Sequence, residues 1–318
     1  MTNRMRAAFL DYGTLGPGID TASLDELVEV EYYDYSPPNE ISGRLRDVEI
    51  GIVNKARVDA ATMVANPNLK FVVLAATGSD NVDLQTARQR SIAVANIRDY
   101  CTPAVVQHVF ALILALTRQL KDYQTVVNAG AWQRSNTFAL FDFPIRELTG
   151  KALGIVGYGS LGRGVADVGR AFGMEVLIAA RPGAQAEDRI ALDALLEQAD
   201  VLSLHCPLTD ANRHMIGKSE LASMKPDALL INTARGALVD SAALVEALRS
   251  GGIGGAGIDV LATEPPTDEE PLLAADIPNL ILTPHIAWTA AESRQRTLDQ
   301  VAENVKDFLG GGELRRLV

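Results

Sequence analysis

Cysteine is almost missing from this chain: Cys101 and Cys206 are the only two in 318 residues, and they lie far apart. No CxxC pair and no Cys/His cluster at ligand spacing occurs, so a disulfide-stapled scaffold and a zinc centre are excluded and no metal is expected. A reduced, cytoplasmic setting fits such usage. Positive charge is also short, 29 Lys and Arg against 40 Asp and Glu for a net charge of −11. Phosphate backbones and anionic lipid reward basic faces, so neither nucleic acid nor membrane is expected as a partner. Long apolar runs are absent too. The longest, Val109 to Leu116, falls well short of the ~20 residues that span a bilayer. The N-terminus, MTNRMRAAFLDYG, has an apolar core of only a few residues and reads as a first strand, not a signal peptide.

What is present is 47% hydrophobic and 22% charged, the composition of a folded globular protein with enough chain for two domains. The organising stretch is Leu153 to Ala180, LGIVGYGSLGRGVADVGRAFGMEVLIAA. An apolar run closes at Val156, Gly157, Gly159 and Gly162 follow, Val165, Val168 and Phe172 repeat at helical spacing, and a second apolar run starts at Val176. Strand, glycine turn, helix and strand make half of a nucleotide-binding fold. Gly157 serves the tight turn, Gly159 the approach of a pyrophosphate, and Gly162 the close packing of helix on strand. The helix N-terminus, at Ser160 and Leu161, then offers unpaired N–H groups to phosphate oxygens.

Around this centre the pattern predicts an α/β protein with two doubly wound domains. Arg6 to Leu10 and Val30 to Tyr33 read as strands of a smaller unit covering 1–99, and Ile50 to Val53 and Phe71 to Ala75, apolar throughout, as two more of the kind expected in a parallel sheet covered on both faces. Ligands of such sheets bind beyond the carboxyl ends of the strands, which makes Asn54, Lys55 and the stretch from Ala76 to Ser79 candidates by position. Tyr100 to Thr117 reads as a strongly apolar helix that needs cover on both sides. The stretch Gly130 to Leu148 is irregular yet carries Trp132, Phe138, Phe141 and Phe143. These rings require burial, either back on their own domain or against a second subunit. Strands at Val201 to His205, Ala228 to Asn232, Ala256 to Val260 and Leu280 to Thr283 then complete a six- or seven-stranded sheet spanning 100–285. A long helix, Ala290 to Leu309, returns to the first unit, which is discontinuous as 1–99 plus 286–318.

Three strand ends each deliver a polar residue: Arg235 after LLINTA, Glu264 after GIDVLAT, and His285 after LILTP. Reduction of a 2-oxo acid needs a cation for carboxylate and carbonyl, and a proton donor for the oxygen. Histidine donates near neutral pH, and a carboxylate partner favours its charged form. At the end of the second strand, where an acidic residue commonly meets the ribose 2′-hydroxyl, stand Ala180 and Arg181. Losing the carboxylate removes repulsion and Arg181 offers a fork to a 2′-phosphate, so NADP(H) is favoured over NAD(H). Pro182 and Gly183 mark a turn there.

GYGSLG, HCPLT from His205, INTARG from Ile231, GIDV with Asp259, EPP at Glu264 and TPHIAW from Thr283 together resemble the D-isomer-specific 2-hydroxyacid dehydrogenases over nearly the whole chain. NKARVD near Lys55, AATGSDNVD near Gly78 and FDFPI resemble the branch of that family that interconverts hydroxypyruvate and D-glycerate. The resemblance implies a Rossmann cofactor domain inserted in a flavodoxin-like substrate domain, the two closing on each other, and a homodimer made through the region after Tyr100. It implies that Arg235 grips the substrate, His285 is the acid/base and Glu264 tunes it. Lys55, Thr77 and Gly78 would bind substrate, Asp259 would face the nicotinamide carboxamide, and Thr102, His205, Cys206, Pro207, Thr233, Ala234 and Ala287 would line the cofactor. Two departures are Ala180, for the usual Asp, and Ala287, for a common Gly. No regulatory domain is expected after Val318. The expected activity is NAD(P)H-dependent reduction of hydroxypyruvate or glyoxylate to D-glycerate or glycolate. A bulkier 2-oxo acid, or a non-catalytic cofactor-sensing protein, is the alternative.

Overall fold

The computed structural model describes residues 4–181 and 188–318. The turn expected at Pro182 and Gly183 lies outside the described residues. The chain divides into two compact units, Met1–Cys101 with Trp288–Val318, and Thr102–Ala287.

The first unit holds five parallel strands, β1 (Arg6–Phe9), β2 (Glu29–Tyr32), β3 (Ile50–Val53), β4 (Phe71–Leu74) and β5 (Ala93–Ala95), in the order β2-β1-β3-β4-β5. This is the flavodoxin-like order, and the direction of winding reverses between β1 and β3. Every residue of β3 and β4 is buried, as strands covered on both faces require. Phe9, Ile52 and Phe71 meet Leu298, Val301 and Val305 of the helix Ala291–Leu309 on one side, and Leu10, Val72 and Leu74 meet Leu45 and Met63 on the other. β5 and the short helices Pro38–Arg44, Ala60–Ala65 and Leu84–Gln89 were not legible as elements. Three residues, two of them alanine, carry no periodic signal, and helices of six or seven residues are held by tertiary packing more than by propensity.

Asp11, just beyond β1, is the polar pivot of this unit. It is buried, and its carboxylate accepts the backbone N–H of Asn54 at 2.8 Å, Lys55 at 2.5 Å and Ala56 at 2.7 Å. A turn that follows one strand is thereby held by the end of its neighbour.

The second unit carries β6 (Ala152–Val156), β7 (Glu175–Ile178), β8 (Val201–Leu204), β9 (Leu229–Asn232), β10 (Gly255–Ile258) and β11 (Leu280–Leu282), all parallel, in the order β11-β10-β9-β8-β6-β7. A one-residue parallel bridge between Ala179 and Ile190 extends the sheet past β7. Winding reverses between β6 and β8, so the glycine turn after β6 opens at the switch point where such sheets take their ligands. The apolar helix is Thr102–Thr117, and it buries Val105, Val106, Val109, Phe110, Leu112, Ile113 and Leu116. Among the described residues no single helix is long and apolar enough to cross a membrane. Two doubly wound parallel α/β sheets are thus present, as the strand pattern led us to expect.

Replacing Asp11 by Ala leaves three N–H groups without their acceptor, each costing about 1–3 kcal/mol when buried. Asp11→Ala is therefore expected to lower the thermal midpoint by several degrees, with Asp11→Asn intermediate because its amide oxygen still accepts. A scanning-calorimetry trace of Asp11→Ala that overlays the parent's would contradict the pivot role.

Candidate active site

The glycine turn is shaped by backbone on two of its three positions. Gly157 has a φ of +96°, and a Cβ there would sit 2.5 Å from the Cys206 nitrogen. A Cβ on Gly162 would fall 2.1 Å from the Gly157 carbonyl oxygen. Gly159 differs. Its φ of −82° suits any residue, and a Cβ would meet nothing within 4 Å. Protein packing does not demand glycine at 159, whereas the close approach of a phosphate does. The helix Ser160–Ala171 begins directly after it, so the N–H groups of its first turn face the same approach.

Three buried polar atoms have no hydrogen-bond partner among the described residues: Thr102 Oγ1, Thr233 Oγ1 and His205 Nδ1. Buried polar groups are nearly always paired, so an unpaired set marks places where a ligand completes the bonding. His205 and Thr233 follow β8 and β9, and the Gly157 turn packs against His205 and Cys206. His205 Nε2 is engaged by Ser203 Oγ at 2.8 Å. Desolvation pushes the His205 pKa down from 6.5 to about 4, so the ring is neutral at physiological pH. Pro207 is exposed and its carbonyl accepts the Asn212 amide at 2.8 Å, while Ala234 is buried. The cradle at Gly159 and the unpaired hydroxyls fit a dinucleotide.

Arg181 is exposed at the end of β7. Arg189, brought alongside by the Ala179–Ile190 bridge, lies 5.3 Å from the centre of the Tyr158 ring, and Arg170 donates to the Tyr158 hydroxyl at 3.4 Å. The edge of the sheet next to the glycine turn is therefore rich in guanidinium groups.

On the other half of the sheet, a chain of contacts links the turn that begins at Arg235 to Glu264 and His285, while the Arg235 guanidinium itself donates to the Ala234 carbonyl at 2.7 Å. Asn232, buried at the end of β9, shapes the Arg235 turn: its side-chain oxygen accepts the Ala234 N–H at 3.0 Å and its amide donates to the Arg235 carbonyl at 2.9 Å. The turn then passes so close to the next strand end that a Cβ on Gly236 would lie 1.9 Å from the Leu261 carbonyl carbon. Glu264 accepts the Leu261 N–H on Oε1 at 2.8 Å and faces His285 Nδ1 with Oε2 at 2.6 Å. A carboxylate only accepts, so His285 Nδ1 carries the proton of this bond and Nε2 is left as the nitrogen that exchanges one. Both side chains are about one-third exposed or less, at 27% and 34% for His285 and Glu264, which keeps the pair reachable by a small substrate.

His285 has a φ of +56°, an uncommon conformation for a residue with a Cβ. Asp259 holds it there. The Asp259 carbonyl accepts the His285 N–H at 2.8 Å, and its buried carboxylate accepts the N–H groups of Ile286 and Ala287, each at 2.9 Å. The residue expected at the nicotinamide is thus also the organiser of the His285 turn. Asn232 and the hydroxyl of Thr283, which donates to Asp259 Oδ1 at 2.5 Å, were missed in the sequence. A polar residue closing a wholly buried strand, as in LLIN, was the available signal for the first.

In the first unit, the turns carrying Lys55 and Thr77 lie side by side. The Asn81 amide donates to the carbonyls of Asn54 at 3.3 Å and Ala56 at 2.8 Å, and the Asn96 amide donates to that of Thr77 at 2.7 Å. Lys55 and Thr77 are exposed, with Gly78 half-buried beside them.

A glycine turn at the switch point of a parallel sheet, buried polar atoms without partners among the described residues and a carboxylate-held imidazole together fit an oxidoreductase that uses a nicotinamide nucleotide. Comparison agrees. The sequence profile of the D-isomer specific 2-hydroxyacid dehydrogenase NAD binding domain matches residues 110–287. Glycerate dehydrogenase of Methylorubrum extorquens is 44% identical over 301 residues, 92% of this chain and 95% of that one. Hydroxypyruvate reductase of Blautia hydrogenotrophica is 37% identical, with 96% and 98% covered. A solved structure of an acyclic imino acid reductase in complex with NADPH and D-Arg superposes with a TM-score of 0.87 at 26% identity, covering 99% of this chain and 100% of the other. The chain belongs to the D-isomer-specific 2-hydroxyacid dehydrogenase family and is an NAD(P)-dependent enzyme of that class.

Gly159 and Gly162 separate ligand space from packing. Gly159→Ala is expected to keep the parent's thermal midpoint while weakening cofactor binding about tenfold or more, read by titration of nucleotide fluorescence. Gly162→Ala is expected to destabilise the fold by roughly 1–3 kcal/mol, the usual cost of an overpacked site. Equal losses of stability in both would contradict the distinction.

Proposed function

We propose that the enzyme reduces a small 2-oxo acid, hydroxypyruvate or glyoxylate, to the D-2-hydroxy acid, with His285 as proton donor. The observation that carries this reading is the 2.6 Å bond between His285 Nδ1 and Glu264 Oε2, tied through Leu261 to the Arg235 turn. When bound, the reduced nicotinamide supplies a hydride to the carbonyl carbon. Arg235 pairs with the substrate carboxylate and draws electron density toward the carbonyl oxygen. His285 Nε2 gives that oxygen its proton, and Glu264 keeps the ring oriented and stabilises its charged form. Lys55 and the Thr77–Gly78 turn of the first unit bind the substrate by charge and backbone N–H groups. Thr102, Gly157, Gly159, Ser160, Leu161, His205, Cys206, Pro207, Thr233, Ala234, Asp259 and Ala287 line the cofactor. The small substrate is supported by the relatives' names, glycerate dehydrogenase and hydroxypyruvate reductase, at 44% and 37% identity.

NADP(H) is favoured over NAD(H). Ala180 offers no carboxylate to repel a 2′-phosphate, Arg181 and Arg189 offer charge to attract one, and a structural neighbour is solved with NADPH.

The active form is a homodimer. The stretch after the helix Leu120–Asn128 divides its aromatics: Phe143 folds back on Tyr123 with ring centroids 5.2 Å apart, whereas Phe138 is 89% and Phe141 83% exposed. Exposed rings at this density mark a contact surface.

Arg235→Ala and His285→Asn are each expected to lower turnover by about a hundredfold or more at unchanged thermal midpoint, the share of a positioned acid or charge. They are read in an assay of NADPH and NADH oxidation against glyoxylate, hydroxypyruvate, phenylpyruvate and branched 2-oxo acids. Highest kcat/KM with hydroxypyruvate and NADPH is expected. Near-normal turnover in both variants removes the assignment, and a preference for phenylpyruvate moves it to bulkier substrates. Separately, Phe138→Ser with Phe141→Ser is expected to shift the sedimentation coefficient from that of a dimer to that of a monomer. A parent enzyme that sediments as a monomer refutes the dimer.

A further inference from the structure

His108 stands on the helix Thr102–Thr117, 175 positions before Thr283, and the nucleotide cradle makes no use of it. Its Nε2 lies 3.1 Å from Thr283 Oγ1 and 3.5 Å from Asp259 Oδ1, with only 17% of its side chain exposed. The directions of these bonds follow from the chemistry of the atoms. The Asp259 carboxylate can only accept, so the Thr283 hydroxyl spends its single proton on Oδ1 at 2.5 Å. Thr283 Oγ1 is then an acceptor toward the imidazole, and His108 Nε2 must carry a hydrogen. Donation runs one way, from His108 through Thr283 to Asp259.

The end of this chain is the His285 turn. Asp259 accepts the N–H groups of Ile286 and Ala287 on its carboxylate and that of His285 on its carbonyl, which holds His285 at a φ of +56°. A residue with a Cβ is strained in such a backbone and keeps it only where its surroundings over-determine it. The carboxylate supplies that constraint only while its own orientation is fixed. The Thr283 hydroxyl fixes one oxygen, and the imidazole behind it fixes the hydroxyl.

We propose that His108 is a positioning residue of the reaction: by donating to Thr283 it locks the Asp259 carboxylate, which in turn holds the His285 turn in the left-handed conformation that presents the imidazole to substrate. This rests on the reading of His285 as the proton donor. Small displacements of a reacting group cost heavily in rate, on the order of a hundredfold for about 1 Å. The loss falls on kcat and not on the KM for the 2-oxo acid, because His108 binds no substrate; Asp259, which lines the cofactor in this reading, passes part of the change to the KM for NADPH.

The test is steady-state kinetics on the full chain with hydroxypyruvate or glyoxylate and NADPH. His108→Leu is expected to lower kcat about ten- to a hundredfold with KM for the 2-oxo acid within about twofold of the parent. His108→Gln, whose amide nitrogen can reach the place of Nε2 and donate, is expected to recover most of kcat. In the double variant with Thr283→Val, His108→Leu is expected to add almost nothing, because the link it acts through is already gone. Should His108→Leu not fold, Thr283→Ser against Thr283→Val makes the same comparison one bond further on, Ser retaining kcat and Val losing it. Parental kcat in His108→Leu, equal loss in His108→Leu and His108→Gln, or equal kcat in the two Thr283 variants overturns the proposal. A His285→Asn enzyme that turns over normally removes the proton-donor assignment and the relay with it. Loss of activity there with none in His108→Leu removes only the relay.

Discussion

Parallel strand pairing is the constraint from which the rest of this enzyme follows. Because β6, β8, β9, β10 and β11 all run one way, every following turn emerges at the same edge of the sheet. Residues as far apart in the chain as Gly157, His205, Thr233, Arg235, Glu264 and His285 are thereby delivered to a common margin. The four inner strands can be short, four or five residues each, because burial on both faces and a ladder on each side stabilise them. The register does the positioning: β9 pairs with β10 from Leu229 with Gly255 to Asn232 with Ile258, which sets the Arg235 turn against the segment leading to Glu264.

A second device recurs in both units. A buried carboxylate just past the end of one strand accepts the backbone N–H groups of the turn that follows the adjacent strand. Asp11 does this for Asn54, Lys55 and Ala56, and Asp259 for Ile286 and Ala287. Turns beyond a sheet edge have lost their ladder partners, so their N–H groups need other acceptors. A carboxylate supplies two oxygens with several lone pairs from a single side chain. The turns so held are the ones that carry Lys55 and His285, the residues proposed to meet the substrate.

The nucleotide half works by the opposite means. There the chain withholds atoms: Gly159 has open space where a Cβ would stand, and Thr102, Thr233 and His205 present polar atoms that no group among the described residues satisfies. Buried polar groups left without partners cost stability. With His205 packed against the glycine turn and Thr102 near Gly164 of the helix that follows it, that cost is intelligible as one offset when a dinucleotide binds.

Much of this was legible in the chain. The glycine pattern, the apolar runs and the polar residue closing each run are local features, and local features determine strand, turn and helix. They identified the doubly wound class, the place of the nucleotide turn, and Arg235, Glu264 and His285 as the residues of interest. Less regular elements escaped, among them the three-residue strand at Ala93 and the short helices Pro38–Arg44, Ala60–Ala65 and Leu84–Gln89. What the tertiary structure alone decided is who bonds to whom: that Glu264 meets Nδ1 of His285, that Phe143 folds inward while Phe138 and Phe141 face outward, and that Asp259 turns its carboxylate on the His285 loop with His108 behind it. Such bonds join residues between 20 and 175 positions apart, and their geometry is set by sheet register and helix packing, for which no local periodicity exists.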